Sequence, residues 1–437
     1  MTTGRVSRRD ALLGVSAATL AGLAGCNGSS SPFSGIQNSG APTSPWARVL
    51  PAVDVSTPTG EAIQDAINGL PPGGGTVNLT ADVPYVIDTP LLIERNKVQL
   101  VGRGPAATRL RAKSGAVLTV SGYSEEYLLL VSSAANVGIS QMTIDTYNQA
   151  NSPGEPRLGI GVWSSNSIAL KNVTFVHNLG PNGLNQSLGL NQSTGLTIEN
   201  CEASESRIGI SLSQCSNFKV INCQVNQCQS YAPSYPGPTS AIAIVESNSG
   251  IVNSCLLQNN RVNSGIFIKK SASVQIQASK IYKTLGFSSH LNPGILVQGC
   301  TGAAVVLVRC TVLDNSGSGI GIANSTAATI RQCSLANNGS LTHGAGISLD
   351  GGTSQTTVQS NNISDNRGVS FAGIKAGESS GSDDGAVVTD STVRGFGTGV
   401  DLGSNSSNCL VKNNDLRHNT NCFTNSGSHN TITGNLC

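Results

Sequence analysis

Eight side chains in the second half of this 437-residue chain are candidates for chemistry that uses a charge or a titratable proton. They are Lys269, Lys283, His290, His343, Arg367 and Lys375 as cations or bases, and Asp350 and Asp401 as acids. A cation that neutralises a carboxylate, set beside a base that takes the proton α to it, performs β-elimination. Lys269 and His290 fall in one repeat of the chain and supply such a pair, while His343 and Asp350 add a second base and an acid. Two carboxylates about 5 to 10 Å apart would instead support acid–base hydrolysis, and Asp350 with Asp401 is the pair available for that. Asp383-Asp384, in Gly-Ser-Asp-Asp-Gly, reads as a turn more than as a catalytic pair. No cofactor is specified by the sequence, and calcium at such an acidic turn is the candidate it raises.

Side chains so far apart need a scaffold with a regular period, and the chain has one. Gly294-Ile295-Leu296-Val297 leads to Val306–Val312, and 25 residues after Gly294 the phrase restarts as Gly319-Ile320-Gly321-Ile322, leading to Thr329–Leu335. The same opening recurs at Gly159, Gly209, Ala241, Gly265, Gly346, Gly373 and Gly399, from Gly209 onward at intervals of roughly 20 to 32 residues, the range of stacked solenoids. Each unit holds three short β-branched runs and is too thin to bury them alone, so neighbouring units must stack. Aligning the units places Asn172, Asn200, Asn222 and Asn413 at one bend, where asparagine accepts a left-handed backbone. The next position collects Cys201, Cys223, Cys255, Cys310 and Cys333, with Ser279, Asn361, Ser391 and Asn414 between them. In Gly265-Ile266-Phe267-Ile268-Lys269 the two isoleucines point inward, so Phe267 and Lys269 point out. Carried through the repeats, that alternation predicts an outward column of Trp163, Ser213, Val245, Lys269, Gln298, Ala323 and Asp350. Ser211, Phe267, Leu296, Ser348, Lys375 and Asp401 flank it. The loops that precede these strands carry Tyr147, Tyr231 with Tyr235, and Phe287.

Asparagine at this bend beneath a G-I-x-I strand resembles the right-handed parallel β-helix of the pectate-lyase-like superfamily. The resemblance implies an all-β, right-handed parallel β-helix with an N-terminal capping α-helix. Glu61–Leu70 carries the helical stripe Ile63, Ala66, Ile67 and Leu70, and Pro72-Gly73-Gly74-Gly75 follows it. It also implies a sugar polymer lying along the outward strand face. On that reading Lys269, His290, His343 and Asp350 are the catalytic candidates. Trp163, Tyr231, Tyr235, Arg367 and Lys375 are the substrate-binding ones. A lyase acting on uronate-containing polysaccharide is favoured over a glycoside hydrolase, and a non-catalytic glycan-binding or structural β-helix is the alternative. The Gly-His-Gly of polygalacturonases and the Asp-Pro-His of mannuronan epimerases are absent from the chain.

Composition agrees with a slender core. Aromatics make up 4% of residues and charged residues 11%, too few for a mixed globular core but enough for stacked Ile, Val, Leu and Cys. Ser7-Arg8-Arg9-Asp10 resembles a twin-arginine export signal, and Leu23-Ala24-Gly25-Cys26 resembles a lipobox with Cys26 as the acylated residue. The expected organisation is a signal peptide over 1–25, a flexible tether over 26–47, a cap with irregular first coils over 48–158, and regular coils over 159–437. The expected location is membrane-anchored, in the periplasm or on the cell surface. Without Arg5, Arg8, Arg9 and Asp10, 23 basic residues face 23 acidic ones, a balance that argues against nucleic acid as a partner. Polysaccharide, and a membrane reached through Cys26, are the expected partners of a monomer. Of the twelve cysteines, the repeated ones read as buried thiols and Cys409, Cys422 and Cys437 as candidates for a bridge.

Overall fold

A computed structural model describes residues 51–123, 125–146, 158–177, 186–229, 239–286, 293–339, 344–367, 371–377 and 381–437. Within them every strand-to-strand ladder is parallel, and each coil contributes strands to the same sheets. One sheet has 13 strands in chain order, from Leu91–Ile93 through Leu158–Trp163 and Ser264–Lys269 to Asn421–Asn425. The other 25 principal strands form the second and third sides of the coils. Two long strands, Ala135–Asp145 and Asn166–Val176, run through both of those sides. They turn the corner at Gln141 and Asn172, whose φ values are 61° and 53°.

The bend predicted from asparagine is present. Asn200, Asn222 and Asn413 adopt φ of 53°, 53° and 56°, the left-handed region that a short amide side chain tolerates. The next residue of each coil turns inward and bonds to backbone. Cys255 Sγ donates to the Val220 carbonyl, the Ser279 hydroxyl accepts from Cys255 N at 3.2 Å, and Asn361 Oδ1 accepts from Cys333 N at 2.9 Å. Among the described residues nine cysteines are free and buried. Burial pushes the thiols of Cys215 and Cys228 up to about 11, which keeps them protonated and unreactive. Cys422 and Cys437 are bridged, with Cα atoms 5.6 Å apart, and Cys409 is left out of the bond.

Gly319 and Gly346 show why the strand opening is glycine. A Cβ on Gly319 would stand 2.7 Å from the Gly346 carbonyl oxygen, and one on Gly346 would stand 2.6 Å from that of Gly373. Glycine lets each coil close on the next. Inside, Ile266, Ile268, Ile295 and Val297 are fully buried, each contributing roughly 2 kcal/mol of apolar transfer.

The capping helix spans Gly60–Gly69, one residue earlier at each end than its apolar stripe indicated. Thr59 caps it by accepting from Ala62 N at 3.3 Å, and Ile63 and Ile67 are buried against the first coil. Arg95 closes the other end, donating to the carbonyls of Ile67, Asn68 and Leu70.

Val117–Val120 forms no strand, and Thr119 makes only an isolated antiparallel bridge to Glu126. A coil also lies between the repeats at Gly159 and Gly209, where Gln186–Asn191 inserts in register between Leu158–Trp163 and Ile208–Ser213. Its core residues are Leu188 and Leu190, and without β-branched side chains it does not resemble its neighbours in sequence.

Candidate functional site

Strand alternation on the 13-strand sheet produces two columns that point outward from the coils, parts of which, such as Ala243, Phe267 and Ser348, are buried. In the first, Ser132, Trp163, Asn191, Ser213, Val245, Lys269, Gln298, Ala323 and Asp350 lie in successive register. The second contains Gly161, Gly189, Ser211, Ala243, Phe267, Leu296, Gly321, Ser348, Lys375, Asp401 and Thr424. Every outward residue predicted from the repeats falls in one of these columns, and Asn191 joins them from the additional coil.

Register separates the residues into three places. Trp163 stands four strands from Lys269, about 19 Å at the strand spacing, and Lys269 stands three strands from Asp350, about 14 Å. Lys269 and Asp350 therefore do not meet. His290, His343, Tyr231, Tyr235 and Cys26 lie outside the described residues.

The first place is a pocket of about 90 Å³ lined by Glu125, Tyr127, Trp163, Gln186, Asn191 and Ser213, with Gly189 and Ser211 among its other walls. Tyr123 packs edge to face against both Trp163 and Tyr127, with ring centroids 5.6 and 5.9 Å away, and so holds both rings in place. Tyr127 lies across Gly161, where a Cβ would come within 2.3 Å of its ring. Its hydroxyl donates to Glu125 Oε2 at 2.8 Å. Burial, then the Glu125 carboxylate, push the phenol well above its ordinary range, so it stays a donor. Asn191 Oδ1 is buried with no hydrogen-bond partner among the described residues. Of the pocket's residues, sequence reasoning had singled out Trp163 for binding and Ser211 and Ser213 only as outward positions. Tyr127 and Glu125 come from an irregular coil, and Asn191 from the coil that was overlooked. The 50 residues separating Gly159 from Gly209, about twice the usual interval, were the signal that a coil had been missed.

At the second place, half-buried Lys269 has no acidic partner among the described residues. Its chain neighbour Lys270 pairs with Glu246 at 3.7 Å.

Ser348, Asp350, Lys375 and Asp401 gather at the third place, within two coils of one another. The Ser348 hydroxyl donates to Asp350 Oδ2, and Thr424 donates to Asp401 Oδ1 at 2.5 Å. Asp350 and Asp401 stand two strands apart in different columns, about 10 Å.

Arg367 is employed elsewhere. Its guanidinium donates to both oxygens of Asp365, which is fully buried, and to the carbonyls of Asn338 and Gly339 at 2.9 Å. That geometry makes it a clamp on the turn after Asn362–Ser364. Asp383 likewise has a structural role, accepting backbone N–H bonds from Gly352, Thr353 and Gly377, while Asp384 accepts from Ser407 and Asn408. Burial raises the Asp383 carboxyl above its usual range despite those bonds. Among the described residues, no three His, Cys, Asp or Glu side chains are placed to hold a metal ion. Away from this face, on the third side of the coils, Asp145 is fully buried. It accepts from Arg111 Nε at 2.9 Å and lies 3.0 Å from His177 Nδ1, a cluster that the sequence reading did not anticipate.

The family model described as "Right handed beta helix region" matches residues 158–287 and 264–437. The chain belongs to the right-handed β-helix family. Among solved β-helix structures it is similar to the A-module of mannuronan C-5 epimerase AlgE6 from Azotobacter vinelandii. Identity is 15% and the TM-score 0.57, with 86% of this chain and 94% of that one covered. It is also similar to the catalytic domain of a GH87 alpha-1,3-glucanase, solved with tetrasaccharides, at 14% identity and TM-score 0.57 over 88% and 69% of the two chains. Gene product 12 of bacteriophage phi29 matches at 12% identity and TM-score 0.64, over 86% and 53%. At such identities the likeness is one of β-helix fold. No curated protein sequence matches the chain.

Proposed function

We propose that this β-helix protein binds a linear polysaccharide along the outward face of its 13-strand sheet and cleaves it at a uronate by β-elimination. The observation that carries the reading is Lys269, a half-buried cation flanked in register by the neutral Val245 and Gln298. With no carboxylate among the described residues to pair it, its ammonium is available to a uronate carboxylate, whose neutralisation acidifies the α-proton. The strand spacing of about 4.8 Å suits a polymer whose sugar units each span about one coil. Similarity to β-helix proteins named for an epimerase of mannuronan and for a glucanase supports a polysaccharide as the ligand. The proton acceptor in this proposal is His290, which lies outside the described residues and precedes Ile295–Gln298 in the sequence.

A hydrolytic reading is weaker, because Asp350 and Asp401 are both engaged by hydroxyl groups and are separated by about two strand spacings. Export through the twin-arginine signal and acylation at Cys26 complete the proposal, and mass spectrometry of the membrane fraction from cells carrying Cys26→Ser tests that part. For the chemistry, the soluble body is incubated with pectic, alginate and glycosaminoglycan polymers. New ultraviolet absorbance from an unsaturated uronate supports elimination. New reducing ends without that absorbance would replace it with hydrolysis, and retention without cleavage would leave a binding protein.

A further inference from the structure

The pocket beside Trp163 differs chemically from the surroundings of Lys269. Its ten lining residues include no cation and one carboxylate, Glu125. A uronate placed there would meet like charge with nothing to neutralise it. A neutral sugar fits each feature. The Trp163 indole, braced edge to face by Tyr123, offers a surface for the C–H face of a pyranose, while the Tyr127 ring is fully buried. The Asn191 Oδ1, buried and without a partner among the described residues, needs a donor, and a ring hydroxyl provides one. Glu125 accepts from Tyr127 through one oxygen and keeps further acceptor capacity. Gly189 keeps one wall thin, since even a Cβ there would come within 2.3 Å of the Leu158 side chain.

We propose that this pocket is a subsite for a single neutral hexose, stacked on Trp163 and hydrogen-bonded to Asn191 and Glu125. It rests on the reading of the 13-strand face as a polysaccharide track and sharpens it. The pocket lies four strands, about 19 Å, from Lys269, so the substrate is a heteropolysaccharide carrying a neutral hexose about four sugar units from its uronate.

The chain has two tryptophans, Trp46 and Trp163. In a Trp46→Phe background the emission of Trp163 therefore reports on the pocket alone. Neutral hexasaccharides of glucose, mannose and galactose are titrated against hexamannuronate and hexagalacturonate. At least one neutral probe is expected to change the emission saturably, with both hexuronates at least tenfold weaker. Asn191→Ala is expected to weaken the neutral probe at least tenfold with an unchanged circular dichroism spectrum, and Ser213→Ala provides the same comparison should Asn191→Ala misfold. Hexuronates that bind the pocket as tightly as neutral probes, or no response to any neutral probe, overturn the inference. Uronate cleavage that persists alongside either result overturns this subsite but leaves the proposed function standing, whereas absent cleavage and absent binding remove both.

Discussion

The inside and the outside of the same coils follow opposite rules. At the inward bend, position after position holds a small residue that does one thing. Cys255, Ser279, Cys333, Asn361, Ser391 and Asn414 each join a backbone group of a neighbouring coil. On the outward column, Trp163, Asn191, Lys269, Gln298 and Asp350 occupy equivalent places with no chemistry in common. Register is therefore held from within, where a one-residue slip would strand backbone donors in an apolar core. The exterior is left free to vary, and there one coil can differ from the next without cost to the stack.

The contrast is most exposed to disproof at the ladder. Asn361→Leu removes the acceptor of Cys333 N and the donor to the Ile330 carbonyl, both buried. It is expected to cost about 3 kcal/mol in urea denaturation, and a loss below about 1 kcal/mol would mean that the ladder does not hold the register. Arg367→Ala comes next. It leaves the buried Asp365 carboxylate without its bidentate partner, and a loss of roughly 2 kcal/mol is expected after allowing for the partly exposed guanidinium. Sugar affinity should stay unchanged, because this arginine belongs to the turn.

The same motif recurs in solvent at Asp415 and Arg417, with Arg417 Nη2 2.8 Å from Asp415 Oδ2. The Arg417 hydrogen bonds hold the Asp415 carboxyl down to about 2. A depressed carboxyl contributes stability above its unfolded value of about 4 and loses it as pH falls through about 2. Arg417→Ala should return the Asp415 titration, followed by NMR, toward about 4 and lower the neutral-pH melting temperature modestly, the difference from the parent disappearing as pH falls through about 2. Lys269→Ala should have the smallest effect of all on folding, within about 0.5 kcal/mol of the parent in the same urea titration.

What was legible in the sequence follows from that contrast. Period-two alternation gave the direction of each strand residue from Gly209 onward, and repeated Cys, Ser and Asn at the bend revealed the register, because a ladder must repeat to work. The outward columns could be placed by the same count but not interpreted, since nothing in the succession of Trp163, Ser213 and Lys269 says how far apart they stand. Two physical features were hidden. Gln186–Asn191 has no β-branched residue and buries Leu188 where its neighbours carry Ile160 and Ile210, so its coil did not match the pattern, and the amide of Asn191 went with it. Tyr123, Glu125 and Tyr127 sit in an irregular early coil that has no repeat to align. The ion pair of Arg367, a substrate-binding candidate by sequence, is hidden for a different reason: its partner Asp365 lies two residues back along the chain, and only the turn makes them face each other.

Lys269 is proposed to receive a uronate carboxylate on the 13-strand face. Calorimetric titration of the soluble body with a hexuronate that it binds, at low and at high salt and with Lys269→Ala alongside, measures this contact. At least a tenfold loss of affinity is expected in the variant, with most of the salt dependence gone. Equal affinity and equal salt dependence in the two proteins would mean that Lys269 does not hold the carboxylate.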